Sequence, residues 1–124
     1  MAKKGFDEAW AKLLTLQSNT LARFEKNLAV REAGIQIMRA YLDRCQLVEP
    51  VKNLKVIHVA GTKGKGSTCA FLESMLRYHG LRTGLFTSPH LVNVRERIRI
   101  NGMPVSEASF LKNFWWCWDR LETT

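Results

Sequence analysis

Apolar residues recur along the chain with two periods, and the changes of period predict the elements. Phe6, Trp10, Leu13 and Leu14 stand at the spacing of one helical face, predicting a helix over residues 7–16 with Asp7 as its N-cap. Gln17-Ser18-Asn19-Thr20 then interrupts the pattern with four polar turn-formers. Ile35, Met38, Leu42 and Cys45 restore the helical period and predict a second helix over 30–45, weakened near its start by Gly34. Val48-Glu49-Pro50 closes that stretch, because proline disfavours helical geometry in the residue before it.

From Leu54 the pattern changes. Leu54, Val56, Ile57, Val59 and Ala60 form an apolar, β-branched run broken only by Lys55 and His58, which suits a strand buried on both faces. Phe71, Leu72, Met75 and Leu76 return to helical spacing, and Gly80 is placed to end that helix as a left-handed C′ residue. Leu85 and Phe86 begin another strand that runs into Thr87-Ser88-Pro89. Between Val94 and Ile100 the residues alternate, so a strand would carry Arg95, Arg97 and Arg99 on one face and Val94, Glu96, Ile98 and Ile100 on the other. Asn101-Gly102 is a hairpin turn signal, with Met103-Pro104-Val105 returning as a short edge strand. Ser106 caps a last helix, with Glu107 in its first turn and Leu111, Phe114, Trp118 and Leu121 as its apolar stripe, flanked by Trp115 and Trp116.

The predicted class is α/β: two helices, a βαβ unit, a hairpin and a closing helix. Inside the βαβ unit lies Gly61-Thr62-Lys63-Gly64-Lys65-Gly66-Ser67-Thr68. Glycines there let the backbone turn sharply and approach a ligand. The amides of the first helical turn and the helix dipole favour an anion. Lys65 adds a mobile charge, and Ser67 or Thr68 a hydroxyl. These are the parts of a phosphate-binding loop, although the usual G-x-x-x-x-G-K-[ST] spacing is not met: Val59 stands where the first glycine belongs and Gly66 follows Lys65. A plain glycine-rich turn with solvated lysines is the competing reading. It requires fewer glycines and no lysines, so nucleotide binding is preferred.

Val59 to Thr68 resembles the variant phosphate loop of the Mur ligase-like family, in which Gly-Thr-x-Gly-Lys replaces the usual spacing. The run from Ser88 to Gly102, Ser-Pro-His-Leu-Val-Asn-Val-Arg-Glu-Arg-Ile-Arg-Ile-Asn-Gly, is similar to one branch of it, the folylpolyglutamate synthases, and weaker similarity extends from about Phe6 to Glu122. The resemblance implies a three-layer ATPase domain and an ATP-dependent ligase that adds L-glutamate to the γ-carboxylate of tetrahydrofolate through an acyl phosphate. It implies that Gly61 through Thr68 hold ATP, with Lys65 on the β- and γ-phosphates, and that the Ser88 hydroxyl holds Mg²⁺. It implies a folate contact at Thr20. Arg95, Arg97 and Arg99 read as a solvated face, or as a basic wall for glutamyl carboxylates.

Family members are several times longer than 124 residues. The resemblance therefore implies that residues 1–124 are a partial N-terminal ATP-binding domain, lacking the C-terminal glutamate-binding domain and the acidic and histidine metal ligands, and not competent alone. Residues meant to meet missing strands would then be exposed, and self-association through them is expected.

The net charge of +8 admits a basic nucleic-acid-binding protein, but the basic residues are scattered and ATP, folate and glutamate would also favour positive charge. A generic nucleotide-binding module is the other alternative. No nucleic acid and no membrane partner is expected. Cys45, Cys69 and Cys117 are widely spaced and read as free thiols of a reducing compartment. The N-terminus lacks the character of a secretory or organellar leader, so cytoplasm is expected, although the family resembled has mitochondrial forms. His58, His79 and His90 are read as structural.

Overall fold

A computed structural model describes residues 5–16 and 28–123. Thr20 lies outside the described residues. The chain divides into two compact units, Val56–Phe110 and the remainder, Met1–Lys55 with Leu111–Thr124.

In the second of these, the helical unit, α1 spans Phe6–Thr15 and α2 Leu28–Arg44, close to the ranges that periodicity predicts. Gly5 is the N-cap of α1, and Asp7 sits instead in its first turn beside Glu8, where a carboxylate meets the positive end of the dipole. Helix α2 ends in a Schellman turn: Gln46 takes φ 57°, its amide donates to Asp43 C=O, and the Leu47 amide donates to Leu42 C=O, both at 2.8 Å. The expected stop at Pro50 is not where the helical conformation ends. A short helix, α3, spans Val48–Lys52, and Pro50 falls in its first turn, where the missing N–H has no helical acceptor to lose.

Helix α5 spans Glu107–Thr123; its residues from Leu111 onward complete the helical unit. The Ser109 amide donates to Ser106 Oγ at 3.2 Å, so Ser106 is the cap the sequence predicts. Ala9, Cys45 and Trp115 are buried, the Lys12 ammonium lies 4.4 Å from the Trp118 ring centre, and the Arg44 guanidinium donates to Leu121 C=O. Burial, then the adjacent Cys45 thiol, push the Cys117 thiol up, away from an activated thiolate.

The unit Val56–Phe110 contains α4 (Lys65–Tyr78) and strands β1 (Gly84–Phe86), β2 (Ile98–Ile100) and β3 (Met103–Pro104). The sheet is antiparallel in the order β1-β2-β3, with Leu85 opposite Arg99 and Ile100 opposite Met103. The Asn101-Gly102 hairpin forms as predicted, both residues taking positive φ (49° and 81°). Gly80, at φ 80°, ends α4, the Leu81 amide returning to Leu76 C=O at 3.2 Å. Glu73 is the buried polar residue of this unit; it accepts from Thr83 Oγ1 at 2.6 Å and from Arg77 Nε at 3.3 Å, pinning α4 to the start of β1.

Two strand expectations fail. Residues 55–60 pair with no strand among the described residues, so the parallel βαβ pairing is absent. A parallel strand is held by neighbours on its edges and cover on both faces; here Val56 and Ile57 are 72% and 60% exposed. The alternation of Val94–Ile100 is also broken, because Val94–Arg97 is a 3₁₀ turn and only Ile98–Ile100 is strand. Arg95 and Arg97 therefore do not share a strand face with Arg99, and the basic wall does not form in that way.

Candidate functional site

Lys65 opens α4, and Gly64 is its N-cap in the left-handed region, φ 73° and ψ 0°. That conformation favours glycine, since a Cβ there crowds the next carbonyl. The Gly64 carbonyl accepts from both the Thr68 amide and the Thr68 hydroxyl, each at 2.9 Å. The first helical bond thus belongs to Thr68, and the amides of Lys65, Gly66 and Ser67 have no carbonyl one turn back to meet. They are the donors an anion would use.

Lys65 Nζ folds over the loop and donates to Gly61 C=O at 2.7 Å and to Thr62 C=O at 3.4 Å. No acidic side chain pairs with Lys63 or Lys65 among the described residues, and the whole loop from Gly61 to Thr68 is exposed. The positive charge is uncompensated and open to solvent. Of the three glycines, only Gly64 is required by its φ. A Cβ on Gly61 would make ordinary contacts, 3.8 Å to Lys63 O and 3.9 Å to Lys65 Cγ, and one on Gly66 would meet nothing within 4 Å.

Ser88 stands two residues beyond β1, exposed, before a cis peptide to Pro89. Among the described residues no hydrogen bond joins it to the glycine loop, so loop and hydroxyl are placed by separate elements. The described residues contain no group of three His, Cys, Asp or Glu side chains able to hold a metal ion. A lone hydroxyl fits Mg²⁺ that arrives with phosphate oxygens and keeps several waters, and does not fit a free-standing metal site.

The histidines stay outside the loop. His79 is the C-cap of α4, and His90 Nδ1 accepts from Arg97 Nε at 2.8 Å. The periodic reading missed what lies around them. Asn93 and Glu96 form a capping box at the 3₁₀ turn, and the Glu96 carboxylate accepts the amides of Leu91, Val92 and Asn93 at 2.9, 3.1 and 2.8 Å. Those donors hold its pKa below the ordinary glutamate value, led by Leu91. The Asn-x-x-Glu spacing was the signal available in sequence.

No protein-family model matches the chain. It is 47% identical over 122 residues to a folylpolyglutamate synthase of Arabidopsis thaliana and 50% identical over 122 residues to the mitochondrial folylpolyglutamate synthase of Homo sapiens, matches that cover 98% and 96% of the chain. The chain spans about a fifth of the length of these curated relatives (21% of each). The crystal structure of the bifunctional folylpolyglutamate synthase/dihydrofolate synthase from Yersinia pestis superposes with a TM-score of 0.67 at 34% identity, covering 90% of this chain and 25% of that one. That of folylpolyglutamate synthase from Thermotoga maritima gives 0.56 at 30% identity, over 75% of this chain and 25% of that one. The fold is thus that of part of an α/β domain found in these enzymes. The chain is a homologue of the folylpolyglutamate synthases, matching about one fifth of their length.

Proposed function

We propose that residues 1–124 are a partial N-terminal ATP-binding domain of a folylpolyglutamate synthase, a tetrahydrofolate:L-glutamate γ-ligase that forms ADP. In this reading the domain is the phosphate-loop part of a three-layer ATPase. The observation that carries it is the left-handed Gly64 cap, which opens α4 with Lys65 Nζ folded back onto the Gly61 and Thr62 carbonyls. The amides of Gly64, Lys65, Gly66 and Ser67 cradle the β- and γ-phosphates, Gly61, Thr62, Lys63 and Thr68 wall the loop, and Lys65 Nζ leaves its two carbonyls to follow the γ-phosphate.

Phosphoryl transfer to a carboxylate is mostly a matter of position and charge neutralisation, which is the chemistry these groups supply. The folate γ-carboxylate takes the phosphoryl group, and the glutamate amine then displaces phosphate to form the amide. Ser88 Oγ is the protein contact for Mg²⁺, which when bound neutralises phosphate charge. Among the described residues no carboxylate cluster stands beside it, so that contact would form only together with nucleotide. Cytoplasmic residence accords with this role, and no helix among the described residues is long and apolar enough to cross a membrane.

Calorimetric titration of ATP into the chain, with and without tetrahydrofolate, tests the reading. A lysine bonding charged phosphate contributes about 1.5–3 kcal/mol, so Lys65→Ala is expected to weaken ATP binding roughly 10- to 100-fold. Unchanged affinity in that variant would remove the phosphate loop from the account. ATP binding indifferent to folate would favour a generic nucleotide module.

A further inference from the structure

The 3₁₀ turn Val94–Arg97 acts on the segment that carries Ser88 through three separate contacts. On the near side, the Thr87 amide donates to Arg97 C=O at 3.0 Å. Just beyond, Arg97 Nε donates to His90 Nδ1 at 2.8 Å. Farther on, the Glu96 carboxylate gathers the amides of Leu91, Val92 and Asn93. Ser88 is therefore bracketed by bonds on both flanks, all made by two consecutive residues.

The turn is itself anchored. Asn93 Oδ1 accepts from the Arg95 amide at 3.0 Å and from Arg95 Nε at 3.2 Å, and the Arg95 guanidinium reaches Val105 C=O in the hairpin at 3.4 Å.

A capping box requires one donor to its carboxylate, the Asn93 amide here. The Leu91 and Val92 amides are additional, and they belong to the segment rather than to the turn. Burial does not hold that segment: Leu91 and Val92 are 92% and 89% exposed. Its backbone is fixed by polar contacts to Glu96 and Arg97.

We propose that Glu96 and Arg97 are positioning residues for the magnesium–nucleotide site, acting by holding residues 88–93 so that the Ser88 hydroxyl keeps one place. This rests on the reading of Ser88 as the Mg²⁺ contact. Neither residue belongs to the glycine loop, so the effect expected of them is on the magnesium-dependent part of binding.

The experiment titrates ATP into the 124-residue chain in EDTA and in Mg²⁺, for wild type, Ser88→Ala, Glu96→Ala, Glu96→Gln and Arg97→Met. In EDTA all five bind alike. The affinity gained on adding Mg²⁺ falls about 10-fold or more in Ser88→Ala, Glu96→Ala and Arg97→Met, the usual size for lost support of a metal ligand. Glu96→Gln, which keeps one acceptor oxygen, recovers part of it. Hydrogen exchange in Glu96→Ala shows the amides of Leu91, Val92 and Asn93 unprotected while those of Val105 and α4 stay protected.

A wild-type magnesium response in Glu96→Ala and Arg97→Met, with Ser88→Ala impaired, overturns the positioning role and leaves the Ser88 reading standing. An unimpaired Ser88→Ala overturns both. Loss of protection across α4 and the hairpin in Glu96→Ala makes Glu96 a folding residue and also overturns the assignment.

Discussion

Replacing Gly64 by alanine separates a left-handed cap from a mere flexible turn. At φ 73° an L-residue sits in a region that costs about 1–2 kcal/mol. A Cβ built there meets nothing within 4 Å, so no steric clash adds to that figure. Gly66 supplies the control. It lies inside α4, has no positive φ, and its Cβ also meets open space, so Gly66→Ala should gain up to about 1 kcal/mol from helix propensity. Two glycines two residues apart are thus expected to respond with opposite signs, roughly 1–3 kcal/mol apart. Urea unfolding with an unchanged m-value, paired with amide exchange of α4, reads the difference. If Gly64→Ala stabilises as Gly66→Ala does, the chain in solution does not use the left-handed cap, and the convergence of amides on an anion loses its basis.

Gly102→Ala adds a φ of 81° to a Cβ only 2.9 Å from Arg77 Nε, so it should cost more than Gly80→Ala, where φ is 80° and the space is open; urea unfolding of both reads the displacement of Arg77. Glu73→Ala leaves the buried side of Thr83 Oγ1 without its 2.6 Å acceptor and is expected to cost about 1–3 kcal/mol. Adding Thr83→Val should return part of that loss, and strict additivity in the cycle would refute the pairing. Glu96 has a folded pKa below its ordinary value, so its contribution is present above the ordinary glutamate pKa and fades as pH falls through the depressed one. Amide signals of residues 91–93 followed by NMR on acidification should broaden or shift only there, and an identical profile in Glu96→Gln would refute the assignment. Val56, Ile57, Phe71 and Met75 are 60–72% exposed, so sedimentation velocity should show concentration-dependent association; a monomer at all concentrations would count against it.

What could be read from sequence follows the range of the interactions involved. Helices α1, α2, α4 and α5 depend on contacts three or four residues apart; the ranges of α1 and α2 agree within a residue or two with the periodic pattern, while α4 begins inside the glycine loop, at Lys65. The Asn101-Gly102 hairpin and the Gly80 stop were equally local, each set by one backbone conformation. Residues 55–60 were misread because a strand exists only with a partner, and partners are non-local. The 94–100 stretch failed differently: period-two alternation and the Asn93-x-x-Glu96 cap made rival claims on the same residues, and three amides on one carboxylate prevailed.

The candidate site divides along the same line. Everything that shapes the glycine loop is within four residues in sequence: Lys65 reaches Gly61 and Thr62, and Thr68 reaches Gly64. The loop can keep its form even though residues 55–60 enter it unpaired. Its surroundings cannot. Val56 and Ile57 before the loop and Phe71 and Met75 after it lie largely in water, and covering one such side chain is worth about 1.5–3 kcal/mol. Whatever buries them would stiffen the approach to the loop from both ends without altering a contact inside the loop. On the proposed reading, anion recognition by Gly64 and Lys65 and rigidity supplied by the apolar residues on either side are thus separable. Substitutions at Phe71 or Met75 should change association before they change intrinsic ATP affinity, whereas those at Gly64 or Lys65 should do the reverse.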